Sequence, residues 1–118
     1  MAWRVEHLSS GLAEAIAQFQ EEEMGTRPAE VSVTVGEDLV MVHLKDVLTP
    51  SERSLARTEA GQAVLQRFNT LRFNAAPSDK VQHEVAQTLN REVVEVLTNL
   101  SPLSGSLVVI YMLGQTHL

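Results

Sequence analysis

The chain has 118 residues and no cysteine, and its 15 acidic and 9 basic residues give a net charge of −6. This length fits one ordinary domain, so we predict a single domain over residues 1–118. The lack of cysteine excludes disulfides and thiolate metal sites and suits a reducing compartment. The longest apolar run, residues 107–113, is far shorter than the roughly 20 residues of a membrane-spanning helix. We therefore expect a soluble, cytoplasmic chain without a secretory signal.

Charge is distributed unevenly along the chain. Residues 1–38 carry eight acidic side chains against two basic ones, whereas residues 39–80 carry six basic side chains against four acidic ones. A surface that binds nucleic acid needs concentrated positive charge to neutralise phosphates, and the overall acidity opposes this. We predict that nucleic acid is not a partner.

The first predicted element is an amphipathic helix followed by a hairpin. The apolar stripe of the helix consists of residues at spacings of three and four: Leu8, Leu12, Ala15, Ile16 and Phe19. Gly25 and Pro28 favour a helix end just beyond it. Residues 31–35 and 39–44 alternate as half-buried strands do, and the Gly-Glu-Asp turn between them indicates an antiparallel hairpin.

The middle of the chain is predicted to be helical. Thr49, Pro50 and Glu52 fit a helix start with a capping box, and Thr58 can begin a second helix, so helices are expected over residues 50–57 and 59–74. The apolar face of the longer helix is assigned to Val64, Leu65, Phe68 and Leu71. Ser78 is expected to cap a further helix that ends near residue 90.

Two β-branched runs, residues 93–100 and 107–113, flank a loop rich in serine, proline and glycine and predict a final hairpin. The fold class expected from these elements is α+β. We predict two layers, a four-stranded antiparallel sheet with helices on one face, in the order α-β-β-α-α-β-β.

The last strand is apolar on both of its faces. One face carries Val108, Ile110 and Met112, and the other carries Leu107, Val109, Tyr111 and Leu113. A strand that faces water on one side normally alternates instead. We therefore predict a homo-oligomer, most simply a dimer, that buries one face of this hairpin, and we expect aspartate at position 109 or 111 to give monomers or insoluble protein. The alternative cover is the N-terminal segment.

No residue pattern indicates catalysis. The four histidines, His7, His43, His83 and His117, lack metal-ligand spacing, the six glycines form no phosphate loop, and no serine lies in a nucleophile elbow. We predict no enzyme activity, no catalytic residue, no metal site and no cofactor. An enzyme remains the alternative if His43 or His83 lies beside an acid in a cleft.

Four arginines form the candidate binding site for an anion or a partner: Arg53, Arg57, Arg67 and Arg72. Arg53 and Arg57 are four residues apart and are expected to share a helix face. A guanidinium group suits carboxylate and phosphate ligands. The alternative is a solvated face on which these arginines pair with Glu52 and Glu59.

The same region carries a family resemblance. Its landmarks are Met24-Gly25 with Pro28, the valine hairpin, Leu48-Thr49-Pro50 with Glu52, Leu55-Ala56, Thr58, Gly61 and the final strand pair. With these landmarks, residues 10–113 resemble the MpsC family, small bacterial proteins named after the C component of a sodium-translocating, membrane-potential-generating system. Two departures are Thr26-Arg27, where the family commonly has Arg-Gly, and Asn99, where it often has aspartate.

The resemblance implies a soluble accessory protein that works beside membrane subunits in cation or inorganic-carbon transport, peripheral to the inner face of the membrane. The alternative function is a regulatory protein that binds a small ligand or an anion through the arginines.

Overall fold

The computed structural model describes the backbone of residues 5–116 and the side chains of residues 11–76 and 78–115. Its elements are α1 (Val5–Phe19), β1 (Glu30–Val35), β2 (Leu39–Lys45), α2 (Pro50–Leu55), α3 (Glu59–Phe73), α4 (Asp79–Leu89), β3 (Arg91–Ser101) and β4 (Ser106–Thr116). A π-helical turn, Gln20–Met24, extends α1, and a 3-10 turn, Ala76–Ser78, precedes α4. The predictions made for the side chains of His7, Leu8 and His117 lie outside the described residues.

The four strands form one antiparallel sheet in the order β1-β2-β4-β3. Each hairpin contributes two neighbouring strands, and β2 pairs with β4 to join the hairpins at the centre of the sheet. The predicted α+β class is confirmed. The predicted order is short by one helix, because three helices rather than two separate the hairpins.

The separate start of α3 follows from the cap at Thr58, as the sequence predicts. Its side-chain oxygen accepts a hydrogen bond from the backbone N–H of Gly61 at 3.0 Å, which starts α3 anew after α2 has ended. Gly61 also allows the close packing of the two helices, because a Cβ at this position would lie 1.8 Å from the carbonyl oxygen of Leu55. The middle region is therefore two helices meeting at a tight corner.

The helices cover one face of the sheet, and the core lies between these two layers. The buried strand residues are Val33, Val40, Val42, Leu44, Val96, Leu100, Leu107, Val109, Tyr111 and Leu113. They pack with Leu12, Ile16, Leu65, Phe73, Val81 and Val85 from the helices. The rings of Phe19 and Phe73 meet at 4.9 Å and 60°, which joins the end of α1 to the end of α3.

The capping box at Thr49 is confirmed. The backbone N–H of Glu52 donates to the Thr49 hydroxyl oxygen at 3.2 Å, and the backbone N–H of Thr49 donates to the Glu52 carboxylate at 2.9 Å. The predicted stop at Gly25 is also confirmed, because this residue has a φ of 87° at the end of the π-helical turn.

The predicted cap at Ser78 is wrong. Its hydroxyl oxygen lies 2.8 Å from the carbonyl oxygens of both Phe73 and Ala75, so its single proton is directed backwards to these two acceptors. Its own backbone is already helical, whereas a capping residue is normally extended. Ser78 therefore stabilises the end of α3 rather than the start of α4.

The segment between the π-helical turn and β1 is fixed by polar contacts. Thr26 donates to the carbonyl oxygen of Val47 at 2.7 Å, and Arg27 pairs with Glu14 and Glu21 at 3.0 and 3.1 Å. Hydrogen bonds to these two carboxylates raise the pKa of Arg27 above its ordinary value. Thr26 and Arg27, the departures noted in the sequence, thus hold this segment against α1 and the loop after β2.

Candidate functional site

Arg53 is the first of the four candidate arginines, and it has a structural partner. Its guanidinium group pairs with the carboxylate of Asp46 and lies beside Gly105, whose Cβ, if present, would be 3.4 Å from it. The backbone N–H of Val47 donates to the carbonyl oxygen of Gly105 at 2.9 Å. Arg53 therefore lies where the loop after β2 meets the turn between β3 and β4.

The other three arginines lie on α3 or just before it. Arg57 is beyond the end of α2, so it does not share a helix face with Arg53, contrary to the expectation from their spacing. Arg72 lies 3.9 Å from a carboxylate oxygen of Glu23, and its guanidinium carbon is 5.5 Å from the centre of the Phe68 ring. Among the described residues, the side chains of Arg57 and Arg67 make no hydrogen bond or ion pair.

The structure thus divides the predicted site into two parts. Arg53 lies at one end of α2, whereas Arg57, Arg67 and Arg72 belong to α3 or its approach. None of the four lines the cavities described below. The pairing with Glu52 and Glu59 is not formed, because Glu52 serves the capping box and Arg53 pairs with Asp46. Binding of an anion or a partner by these arginines stays a prediction.

The face of the sheet opposite the helices is a second candidate surface, and we call it the open face. It includes these outward-pointing residues of the strands: Glu30, Ser32, Thr34, Leu39, Met41, His43, Lys45, Glu95, Leu97, Asn99, Val108, Ile110 and Met112. Met41, Ile110 and Leu97 are neighbours in register across three strands. Met41 is 38% exposed and Leu97 43% exposed, so the centre of this face offers an apolar row to solvent.

The expectation that β4 is apolar on both faces is confirmed. Leu107, Val109 and Tyr111 are buried under the helices, whereas Val108 and Ile110 are half-buried on the open face. Positions 109 and 111, at which aspartate is expected to give monomers or insoluble protein, therefore lie on the helix-covered face and not on the open face. The proposed alternative cover, the N-terminal segment, includes residues 1–4, which lie outside the described part of the chain.

Two polar side chains flank Val108 on the open face. His43 pairs with Val108 in register on one side and Asn99 pairs with it on the other. His43 is half-buried and Asn99 is exposed. The position at which the resembled family often has aspartate therefore lies on the open face, next to its apolar row.

His83 lies in a shallow depression of about 290 Å³ on the helical side, with Asp79 and Glu92 in its lining. The imidazole is exposed, and no hydrogen bond in the described part of the chain joins it to either carboxylate.

A second depression, about 270 Å³, lies between the end of α1 and α4 and is lined by Glu22, Glu23 and Glu84 with Lys80. Within the described residues, no three histidine, aspartate or glutamate side chains are close enough together to hold a metal ion.

Comparison with known protein families gives a match over nearly the whole chain. A family model described as "Na+-translocating membrane potential-generating system (MpsC)" matches residues 5–115. The chain belongs to the MpsC family. No curated protein and no solved structure gives a match.

The matched residues of this MpsC family member include the capping box, the four arginines and the complete open face. Within the described residues, no helix has the length and apolar character needed to cross a membrane. The family is thus named after a membrane system, although the described part of this chain has no membrane-spanning helix.

One surface was assigned wrongly from the sequence. Of the four residues expected to form the apolar core face of α3, only Leu65 is buried, whereas Val64, Phe68 and Leu71 are exposed to solvent. The buried face consists of Gly61, Leu65, Asn69 and Phe73. The apolar pattern was real, but it marks the outer surface of the helix. We call Val64, Phe68 and Leu71 the α3 stripe.

Proposed function

We propose that this protein is a non-enzymatic accessory protein of a membrane-potential-generating system and that it acts by binding other protein chains. The observation that carries the proposal is the open face, where Met41, Leu97 and Ile110 form an apolar row on the side of the sheet away from the helices. An exposed apolar patch of this kind is typical of an interaction site. The family description, which names a membrane-potential-generating system, supports the choice of that system.

The proposed occupant of the open face is a second copy of the chain. Two sheets can pack face to face with interdigitating side chains, and two-fold symmetry closes such a contact. Pairing through the β3 edge is disfavoured, because Gln66 of α3 already bonds the Thr98 carbonyl oxygen at 3.0 Å and the Leu100 N–H at 2.7 Å. The dimer would place its helical layers on the outside, free to contact membrane subunits.

We further propose that the dimer works in the cytoplasm at the inner face of the membrane, beside subunits that carry a cation or inorganic carbon. The absence of catalysis is part of the same proposal. It is supported by His83, whose imidazole is exposed and makes no hydrogen bond to Asp79 or Glu92, so the arrangement of a base oriented by a carboxylate is not formed there.

The experiment is purification of a tagged chain from its native cell in mild detergent, followed by identification of the co-purifying proteins. Membrane transport subunits should accompany the unaltered protein. Because the subunits are proposed to bind the dimer and not the single chain, they should be lost with Ile110→Asp, which places a charge in the dimer contact at the centre of the open face. They should be retained with the control Gln87→Asp, which alters an exposed position of α4. Recovery of the chain without any membrane subunit would contradict the proposal.

A second candidate is a regulator that binds a small anion, and one observation favours it. The guanidinium groups of Arg57 and Arg67 are exposed and unpaired within the described residues. Calorimetric titration with inorganic phosphate tests this candidate: saturable binding that is lost in Arg67→Gln would support it, and no heat beyond dilution would exclude phosphate.

A further inference from the structure

The α3 stripe is an exposed apolar line on the helical side of the sheet. Val64 is 57% exposed, Phe68 39% and Leu71 56%. Spacings of four and three place these side chains on one line along two turns of the helix. Because Leu65, Asn69 and Phe73 point into the protein, the stripe points away from the sheet. It is therefore separate from the open face and is not covered by a dimer formed there.

Arginines border the stripe on both sides. On a helix with 3.6 residues per turn, Arg67 lies along one border and Arg72 along the other. Arg67 is exposed and unpaired within the described residues, and Arg72 is close to the Phe68 ring and to Glu23, its counter-charge. Between residues 57 and 73 the chain has three arginines and one acidic residue, Glu59.

We propose that the α3 stripe binds the surface of a bilayer that contains anionic lipids. Val64, Phe68 and Leu71 enter the boundary between headgroups and acyl chains, while Arg57, Arg67 and Arg72 contact lipid phosphates. An apolar line bordered by cationic side chains matches the layered chemistry of such a surface. Guanidinium is weakly hydrated and binds phosphate with two donors, so arginine suits this contact better than lysine.

The shape of the surface favours a bilayer over a protein partner. A protein that binds a helix face normally offers a groove to it, and recognition then depends on complementary pockets. The stripe is the convex ridge of a helix packed on its own sheet, and a fluid bilayer can deform around a convex ridge. Phe68 and Leu71 are also side chains typical of helices that lie in the membrane interface.

The net charge of −6 does not prevent this contact. At physiological salt, interactions between exposed charges are screened beyond about 8 Å. The charges close to the α3 stripe therefore determine whether it can bind an anionic surface. Eight of the 15 acidic residues lie in residues 1–38 rather than on α3. Glu59 at the start of α3 and Glu23 beside Arg72 reduce the local positive charge but leave Arg57 and Arg67 unpaired.

The experiment is co-sedimentation of the full chain with vesicles. Vesicles of phosphatidylcholine mixed with phosphatidylglycerol should bind the protein at low salt, and binding should weaken as salt is raised. Vesicles of phosphatidylcholine alone should bind it weakly. Failure of the unaltered protein to bind anionic vesicles at low salt would overturn the proposal and leave the proposed function untouched, because that function is tested by protein partners.

Two variants and one control locate the contact. Arg67→Glu removes one positive charge and adds one negative charge, so at about 1 kcal/mol for each charge it should reduce binding to anionic vesicles by about thirtyfold. Leu71→Asn should reduce binding to both kinds of vesicle. Lys80→Glu makes the same charge change on an exposed position of α4 and should bind as the unaltered protein does. Thermal melts establish that each variant is folded.

Two results would contradict the assignment. Equal losses in Arg67→Glu and Lys80→Glu would mean that only net charge matters and that α3 is not the contact. A folded Leu71→Asn protein that binds vesicles normally but changes its oligomeric state would mean that the stripe is an interface between copies of the chain.

Discussion

The hydroxyl group of Tyr111 is buried in the core and has no hydrogen-bond partner within the described residues. Burying a hydroxyl without a partner costs about 1–3 kcal/mol. Tyr111→Phe removes this group and leaves the ring in place, so we expect the free energy of unfolding to rise by about 1 kcal/mol. Chemical denaturation of the two proteins measures the difference. A less stable phenylalanine variant would mean that the hydroxyl is bonded in solution.

The same burial predicts a dependence on pH. Desolvation raises the pKa of Tyr111 above its ordinary value, whereas in the unfolded chain it is near 10. Below about pH 10 the tyrosine keeps its proton in both the folded and the unfolded state. Above about pH 10 only the unfolded state loses this proton, so the free energy of unfolding falls as the pH rises. This loss should be smaller in Tyr111→Phe. Because Tyr111 is the only tyrosine, tyrosinate absorbance follows its ionisation directly, and ionisation without unfolding near pH 10 would contradict the assignment.

Gly61 is required by the close approach of α2 and α3. Since an added Cβ would lie 1.8 Å from the Leu55 carbonyl oxygen, Gly61→Ala must push the helices apart, at a cost of about 2–3 kcal/mol. Gly11 provides the matched control, because a Cβ there meets nothing within 4 Å. Gly11→Ala should be neutral or stabilise α1 by up to about 1 kcal/mol. Equal melting temperatures for the two variants would contradict the close contact.

At the scale of the element, local signals were sufficient for helix starts and hairpins. The box at Thr49 and Glu52 depends on two side chains three residues apart, and the first hairpin depends on strict alternation. Both are decided by neighbours in the sequence. Ser78 shows where local signals are not sufficient. Its hydroxyl could bond the backbone N–H groups of α4 or the carbonyl oxygens at the end of α3, and packing there selected the carbonyl oxygens.

The core face of α3 could not be predicted from its own residues. Two of its four inward positions are Gly61, where a close helix contact excludes a side chain, and Asn69, which bonds the Leu65 carbonyl oxygen at 2.8 Å. Neither is an apolar side chain, so the sequence pattern predicts the more apolar line, Val64 to Leu71, as the core face. Tertiary contacts with β3 through Gln66 and Thr70 decided the orientation instead.

The capping box yields a prediction for α2. Thr49→Ala removes the acceptor for the Glu52 N–H and should lower the free energy of unfolding by about 1 kcal/mol. Ser51→Ala changes an exposed hydroxyl in the first turn of the same helix and should change it by no more than a few tenths of a kcal/mol. Denaturant curves give both values. A Thr49→Ala protein as stable as the unaltered chain would show that the box contributes nothing.

At the scale of the whole molecule, the chain has two apolar surfaces on opposite sides of its sheet. The open face is nearly neutral, because Glu30 and Lys45 at its end pair with each other at 3.1 Å and Glu95 adds a single negative charge. The α3 stripe is bordered by arginines. A neutral apolar sheet face suits a copy of itself, whereas a cationic border would repel its own copy, and this difference leads us to assign the two surfaces to different partners.

The dimer prediction distinguishes the two faces of β4. Ile110 lies at the centre of the open face and Val109 lies under the helices, although they are neighbours in the sequence. Ile110→Asp should therefore give a folded monomer, because the charge is buried only in the dimer, and Val109→Asp should prevent folding, because the charge is buried in every copy. Sedimentation and circular dichroism together separate these outcomes. An unaltered chain that sediments as a monomer at tens of micromolar would refute the dimer, and the open face would then be available to a different protein.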